Sequence, residues 1–82
     1  MKTYTPATNV LSINTDRLRQ ISAHILADRI KNDCKHKVQV LEIRHLEDSV
    51  IDTLIIRIND ESAIQEIDLI LSEIPVYQPA KF

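Results

Sequence analysis

Residues 38–58 read V-Q-V-L-E-I-R-H-L, then E-D-S, then V-I-D-T-L-I-I-R-I. Two β-branched runs joined by turn formers are the pattern of a β-hairpin, and no other part of the chain supplies so clear a sheet signal. A turn centred on Glu47 and Asp48 sets Leu41 opposite Leu54 and Val40 opposite Ile55. Alternation then gathers Leu41, Ile43, Leu54, Ile56 and Ile58 on one face, and Val38, Val40, Glu42, Arg44, Ile51, Thr53, Ile55 and Arg57 on the other. The first set is a core face. The second mixes aliphatics with charges, which is either a solvated sheet of high β-propensity or a surface that meets a partner.

Working outward, residues 15–32 carry helical spacing. Leu18, Ile21, Ile25 and Ile30, widened by Ala23, Leu26 and Ala27, form an apolar stripe opposite Arg17, Gln20, His24, Asp28 and Lys31. Asn14, Thr15 and Asp16 offer a capping oxygen and an acid at its start. Before it, residues 9–13 make a short strand candidate, with Pro6 suiting an edge or a frayed lead-in. After the hairpin, Asn59-Asp60-Glu61-Ser62 opens a second helix, with Ser62 and Gln65 spaced as a capping box. Its stripe is Ile64, Ile67, Ile70, Leu71 and Ile74, its outside is acidic through Glu61, Glu66, Asp68 and Glu73, and Pro75 stops it. The tail from Val76 to Phe82 holds one short edge-strand candidate, limited by Pro79.

The predicted order is therefore β-α-β-β-α(-β) in a single α+β domain covering residues 1–82. It is a two-layer sandwich with an antiparallel sheet and two helices on one face, ferredoxin-like or similar. A chain of this length buries only roughly 60% of its unfolded surface, so association is a common route to more buried area. The order and the acidic helix, E-I-D-L-I-L-S-E at 66–73, have a loose likeness to the DinI-type modulators of recombinase filaments. That helix is an ordinary amphipathic one, and no family is assigned from it.

Composition narrows the chemistry. The chain has no glycine, and phosphate cradles, dinucleotide turns and nucleophile elbows use glycine where backbone must approach a ligand or take positive φ. Turns must rely on Asn, Asp and Ser instead. A net charge of −2 gives no push towards nucleic acid, and the hairpin has no aromatic residue on which a base could stack. Basic groups do gather at Lys31, Lys35, His36 and Lys37, which reads as a solvated loop. The lone Cys34 cannot form an internal disulfide, so a reducing compartment is expected, with the cytoplasm as default. The first residues hold no apolar run of signal-peptide length, and no segment reaches the ~20 apolar residues of a membrane span.

Cys34 and His36, with His24 and His45 elsewhere, are too few and too scattered for a tetrahedral metal site. A Cys34 nucleophile would be helped by Lys35 and Lys37, but it follows a helix C-terminus, whose dipole disfavours a thiolate. We therefore expect no catalytic, cofactor or metal residues. The expected function is a non-enzymatic interaction or regulatory module, homodimeric, meeting another protein or a second copy through Val38, Val40, Glu42, Arg44, Ile51, Ile55 and Arg57. The alternative is a nucleic-acid-associated regulator, or a modulator of a nucleic-acid-binding protein, acting through the acidic second helix.

Overall fold

The computed structural model describes residues 2–16, 22–45 and 47–74. The elements are β1 (Lys2–Thr5), β2 (Val10–Asp16), α1 (Ala23–Asp33), β3 (Val38–His45), β4 (Ile51–Ile58) and α2 (Ser62–Ser72). The strands form one antiparallel sheet in the order β1-β2-β4-β3, and with the two helices this is an α+β architecture. Because β4 runs antiparallel to both its neighbours, β2 and β3 point the same way, and α1 carries the chain across β4 between them.

β1 was not expected. Lys2-Thr3-Tyr4-Thr5 pairs with Val10–Ile13, and Tyr4 packs against the core while its hydroxyl donates to Asn9 Oδ1 at 3.2 Å. Pro6 sits in the connecting turn, where its missing N–H interrupts no ladder. The strand candidate at residues 76–82 and the stop at Pro75 lie outside the described residues.

The hairpin is present, but its register is corrected by a β-bulge. Val38 faces Ile58 and Val40 faces Ile56; the ladder then shifts, and Glu42 faces Ile55 while Ile43 faces Leu54. Leu41 is the extra residue, and 39% of it is exposed. The insertion reverses the faces of everything before it, so Val38 and Val40 lie on the helix side, partly buried against the core. Beyond the bulge the expected sorting holds: Leu54, Ile56 and Ile58 are buried, with Ile43 packed beside them.

α1 begins at Ala23 rather than at residue 15. Thr15 and Asp16 extend β2 by pairing with Asp52 and Ile51, and the buried Thr15 hydroxyl donates to the Asp52 carbonyl at 3.3 Å. The cap is Ser22, whose Oγ accepts from the Ile25 N–H at 3.2 Å. Its buried stripe is Ala23, Leu26, Ala27 and Ile30, whereas Ile25 is 60% exposed because it falls on the far side of that stripe. Leu18 and Ile21 lie outside the described residues. α2 buries Ile67, Ile70 and Leu71 as its spacing predicts, and Ile74 follows them inward; Ala63 is buried as well, while Ile64 of the predicted stripe is only partly buried against the core. The capping box is not used. Asp60 Oδ1 instead accepts the Ser62 N–H at 3.0 Å, and Ser62 is the first helical residue.

Both helical stripes meet Leu11, Ile13, Leu54, Ile56 and Ile58 in one cluster, so the core lies wholly on one side of the sheet. Among the described residues, three turns take positive φ without glycine, at Asn9 (56°), His36 (66°) and Asp48 (60°). Asn and Asp tolerate this conformation; His36 is the less expected choice.

Candidate interaction surface

The side of the sheet away from the helices is built from the residues that alternate with the core. Across it run three rows: Val10, Arg57 and Gln39; Ser12, Ile55 and Glu42; Asn14, Thr53 and Arg44. Ile51 closes the end of β4 opposite Asp16. Ile51, Thr53 and Ile55 are half-buried, because neighbouring side chains on β2 and β3 shade them. Polar groups are knitted together over the same surface: Thr53 Oγ1 donates to Asn14 Oδ1 at 2.9 Å, and the Arg44 guanidinium holds Glu42 Oε1 at 3.1 Å. No described helix or strand covers this face.

Of the seven residues read from the sequence as a partner surface, five share this face: Glu42, Arg44, Ile51, Ile55 and Arg57. Val38 and Val40 do not, for the reason given by the bulge. Val10, which the sequence reading assigned only to a short strand, joins the face through its place opposite Arg57. The aliphatic content is thus a scatter of three side chains among polar ones.

The charge pattern also changes on folding. On α2, Asp68 pairs with Lys2 of β1, Glu73 with Arg29 of α1, and Glu66 with Lys37 of the α1–β3 connection. Three acids of the second helix and its end are therefore satisfied within the chain by bases from three other segments. Arg29 also reaches Asp33 one turn along α1, at 3.4 Å. A cleft of about 220 Å³ between the helices is lined by Arg29, Asp33, Glu66, Leu69, Ile70 and Glu73, so its walls are largely these ion pairs.

Glu66 ties this region to Cys34. Lys37 Nζ donates to Glu66 Oε1 at 2.7 Å, and that bond, followed by the Cys34 thiol, holds the Glu66 carboxyl below its ordinary range. Glu66 Oε2 is buried without a hydrogen bond of ordinary geometry. Cys34 is fully buried at the end of α1, its N–H donating to the Ile30 carbonyl at 2.8 Å. Burial first, and then the Glu66 carboxylate, pushes its thiol up to about 11. The thiol is thus held protonated under physiological conditions, packed into the core.

Asp52 escaped the sequence reading. It alternates with Leu54, Ile56 and Ile58 and is buried on the helix side, where His45 Nδ1 lies 2.8 Å from its Oδ1. An acid in phase with a core face is a signal visible in the sequence, and the pairing partner follows from the register. Among the described residues no group of three or more His, Cys, Asp or Glu side chains could hold a metal ion. His24 and His36 are exposed, and Cys34 faces the core. Among the described residues, no helix is long and apolar enough to cross a membrane. Comparison with family models, with curated proteins and with solved structures finds no match for this chain.

Proposed function

We propose that this chain is a cytoplasmic, non-enzymatic protein-interaction module that works as a homodimer and engages other proteins through the open face of its sheet. The observation that carries this reading is the one-sided core. Both helices are committed to one face, which leaves Ile55 at the middle of the other, between Ser12 and Glu42, with Val10 and Ile51 nearby and Arg44 and Arg57 around them. An aliphatic centre within a hydrogen-bonding surround is the anatomy of a protein contact surface. The second helix supports a nucleic-acid-mimicking role poorly, because Glu66, Asp68 and Glu73 are engaged within the chain.

The test is affinity capture from the native host with the parent and with Ile55→Asp, read by quantitative mass spectrometry. A charge placed in a contact centre must be desolvated on binding, so specific partners should be lost by tenfold or more while the helical circular dichroism signal is retained. An identical set of captured proteins with both baits would overturn the reading.

A further inference from the structure

The two edges of the sheet are unlike. β1 has four residues, begins at Lys2 and runs into Pro6, features that discourage a further strand. β3 has eight residues, with neither lysine nor proline, and among the described residues no strand lies on its outer side. Its bulge at Leu41 disturbs the first half only, and from Glu42 to His45 the ladder against β4 is regular. In this regular half Glu42 and Arg44 stand on the open face of the sheet, while Ile43 and His45 stand on the helix side.

We propose that β3 is a self-association edge, at which a second copy of the chain adds antiparallel about a two-fold axis through Ile43. A two-fold axis perpendicular to the sheet keeps open face beside open face, so Glu42 and Arg44 can meet only residues of their own side. Centring the axis on Glu42 sets carboxylate against carboxylate, and centring it on Arg44 sets guanidinium against guanidinium; either is repulsive. Centring it on Ile43 sets each Glu42 opposite Arg44 of the other copy, at two symmetric places. Each Glu42 already holds its own Arg44 at 3.1 Å, so pairing closes four charges into one cross-strand network. On the helix side the half-buried Ile43 meets its own counterpart and loses further apolar surface. The product is a continuous eight-stranded sheet in which the open faces of the two copies adjoin.

This inference gives the homodimer of the reading above a geometry, and the two are separately testable, because the capture experiment alters Ile55 and leaves the edge charges in place. The experiment is sedimentation equilibrium of the full chain up to about 1 mM, a range that registers weak edge contacts. The parent should self-associate. Glu42→Arg and Arg44→Glu should each weaken association at least tenfold, with unchanged helical circular dichroism, since both positions are exposed. An equimolar mixture of these two variants should associate as the parent does, because each then offers the charges the other needs. The double variant Glu42→Arg/Arg44→Glu, which restores the pairing with the signs exchanged, should likewise recover. A parent that stays monomeric, single variants that associate like the parent, or a mixture no better than its components would each overturn the proposal.

Discussion

Val40→Ala and Leu41→Ala decide between a regular hairpin and a bulged one. In a regular hairpin Leu41 would sit inside and Val40 outside; with the bulge the order is reversed. Val40 is half-buried and packs against the core from opposite Ile56, while Leu41 is 39% exposed. Trimming Val to Ala removes two methyl groups, each worth about 0.8 kcal/mol when fully buried, so partial burial sets the cost of Val40→Ala at about 1 kcal/mol. Leu41→Ala removes more carbon, but from a partly exposed side chain outside the core cluster, and surface changes of that kind usually stay within about 0.5 kcal/mol. In a domain of this size about 1 kcal/mol moves the melting temperature by roughly 4–8 °C, which separates the two variants in a thermal melt. Urea unfolding at a common slope gives the same comparison as free energies. If Leu41→Ala proves the more destabilising of the two, the strand pairs without a bulge, and the placement of Val38 and Val40 on the helix side is wrong.

Leu54→Ala empties a fully buried position between Ile13 and Ile43 and should cost roughly 2–5 kcal/mol in chemical denaturation, enough to unfold a marginal domain. Cys34 should resist thiol reagents in the native protein at pH 8 and react at once in urea, since it is buried and its thiol is pushed up to about 11. Its folded value lies above the ordinary 9.0, so the stability it contributes is complete below about pH 9 and is lost as pH rises towards 11, which an alkaline melt series should show. The depressed Glu66 carboxyl has the opposite sign: its contribution is present above its ordinary 4.5 and is lost as pH falls through the lower folded value. Lys37→Met should shrink that acid-side loss, and an unchanged acid limb would refute the pairing. His36→Gly relieves a positive-φ residue and should stabilise by about 0.5–1 kcal/mol, whereas a loss of stability would show that the His36 side chain matters more than its backbone.

Element type was legible where periodicity was strong. β4 and α2 repeat their apolar residues at the strand and helix periods, and their buried sets match that spacing. The failures sit where local signals compete. Thr15 and Asp16 resemble a helix start, yet Thr15 is β-branched and finds Asp52 across the sheet, so the ladder won over the cap. β1 was hidden because Pro6 and three threonines look like a lead-in, although Thr-Tyr-Thr is good strand sequence and residues 6–9 are good turn sequence. The bulge left no mark in the alternation, because Val40 and Leu41 are adjacent aliphatics and either satisfies a core position. Five of the seven candidate surface residues survived this ambiguity, because Ile51, Ile55 and Arg57 lie on β4, whose phase is fixed by the long run from Leu54 to Ile58, and Glu42 and Arg44 lie beyond the bulge.

Charge is the property that folding rearranges most. Read along the chain, acids collect on the second helix and bases near the end of the first, which suggests two opposed patches. In three dimensions Lys2, Arg29 and Lys37 reach α2 from three different elements and pair with its acids. These pairs are exposed enough that each is worth little for stability, but they fix which charges a partner would meet. What is left on the open sheet face is one Glu42–Arg44 pair, Arg57 and Asp16 around a few aliphatics, a surface with almost no net field to attract a polyanion from a distance. If this face is the proposed contact surface, recognition there comes from shape and short-range contact, so binding to a protein partner should change little between low and moderate salt, whereas a nucleic-acid ligand would be released steeply over the same range.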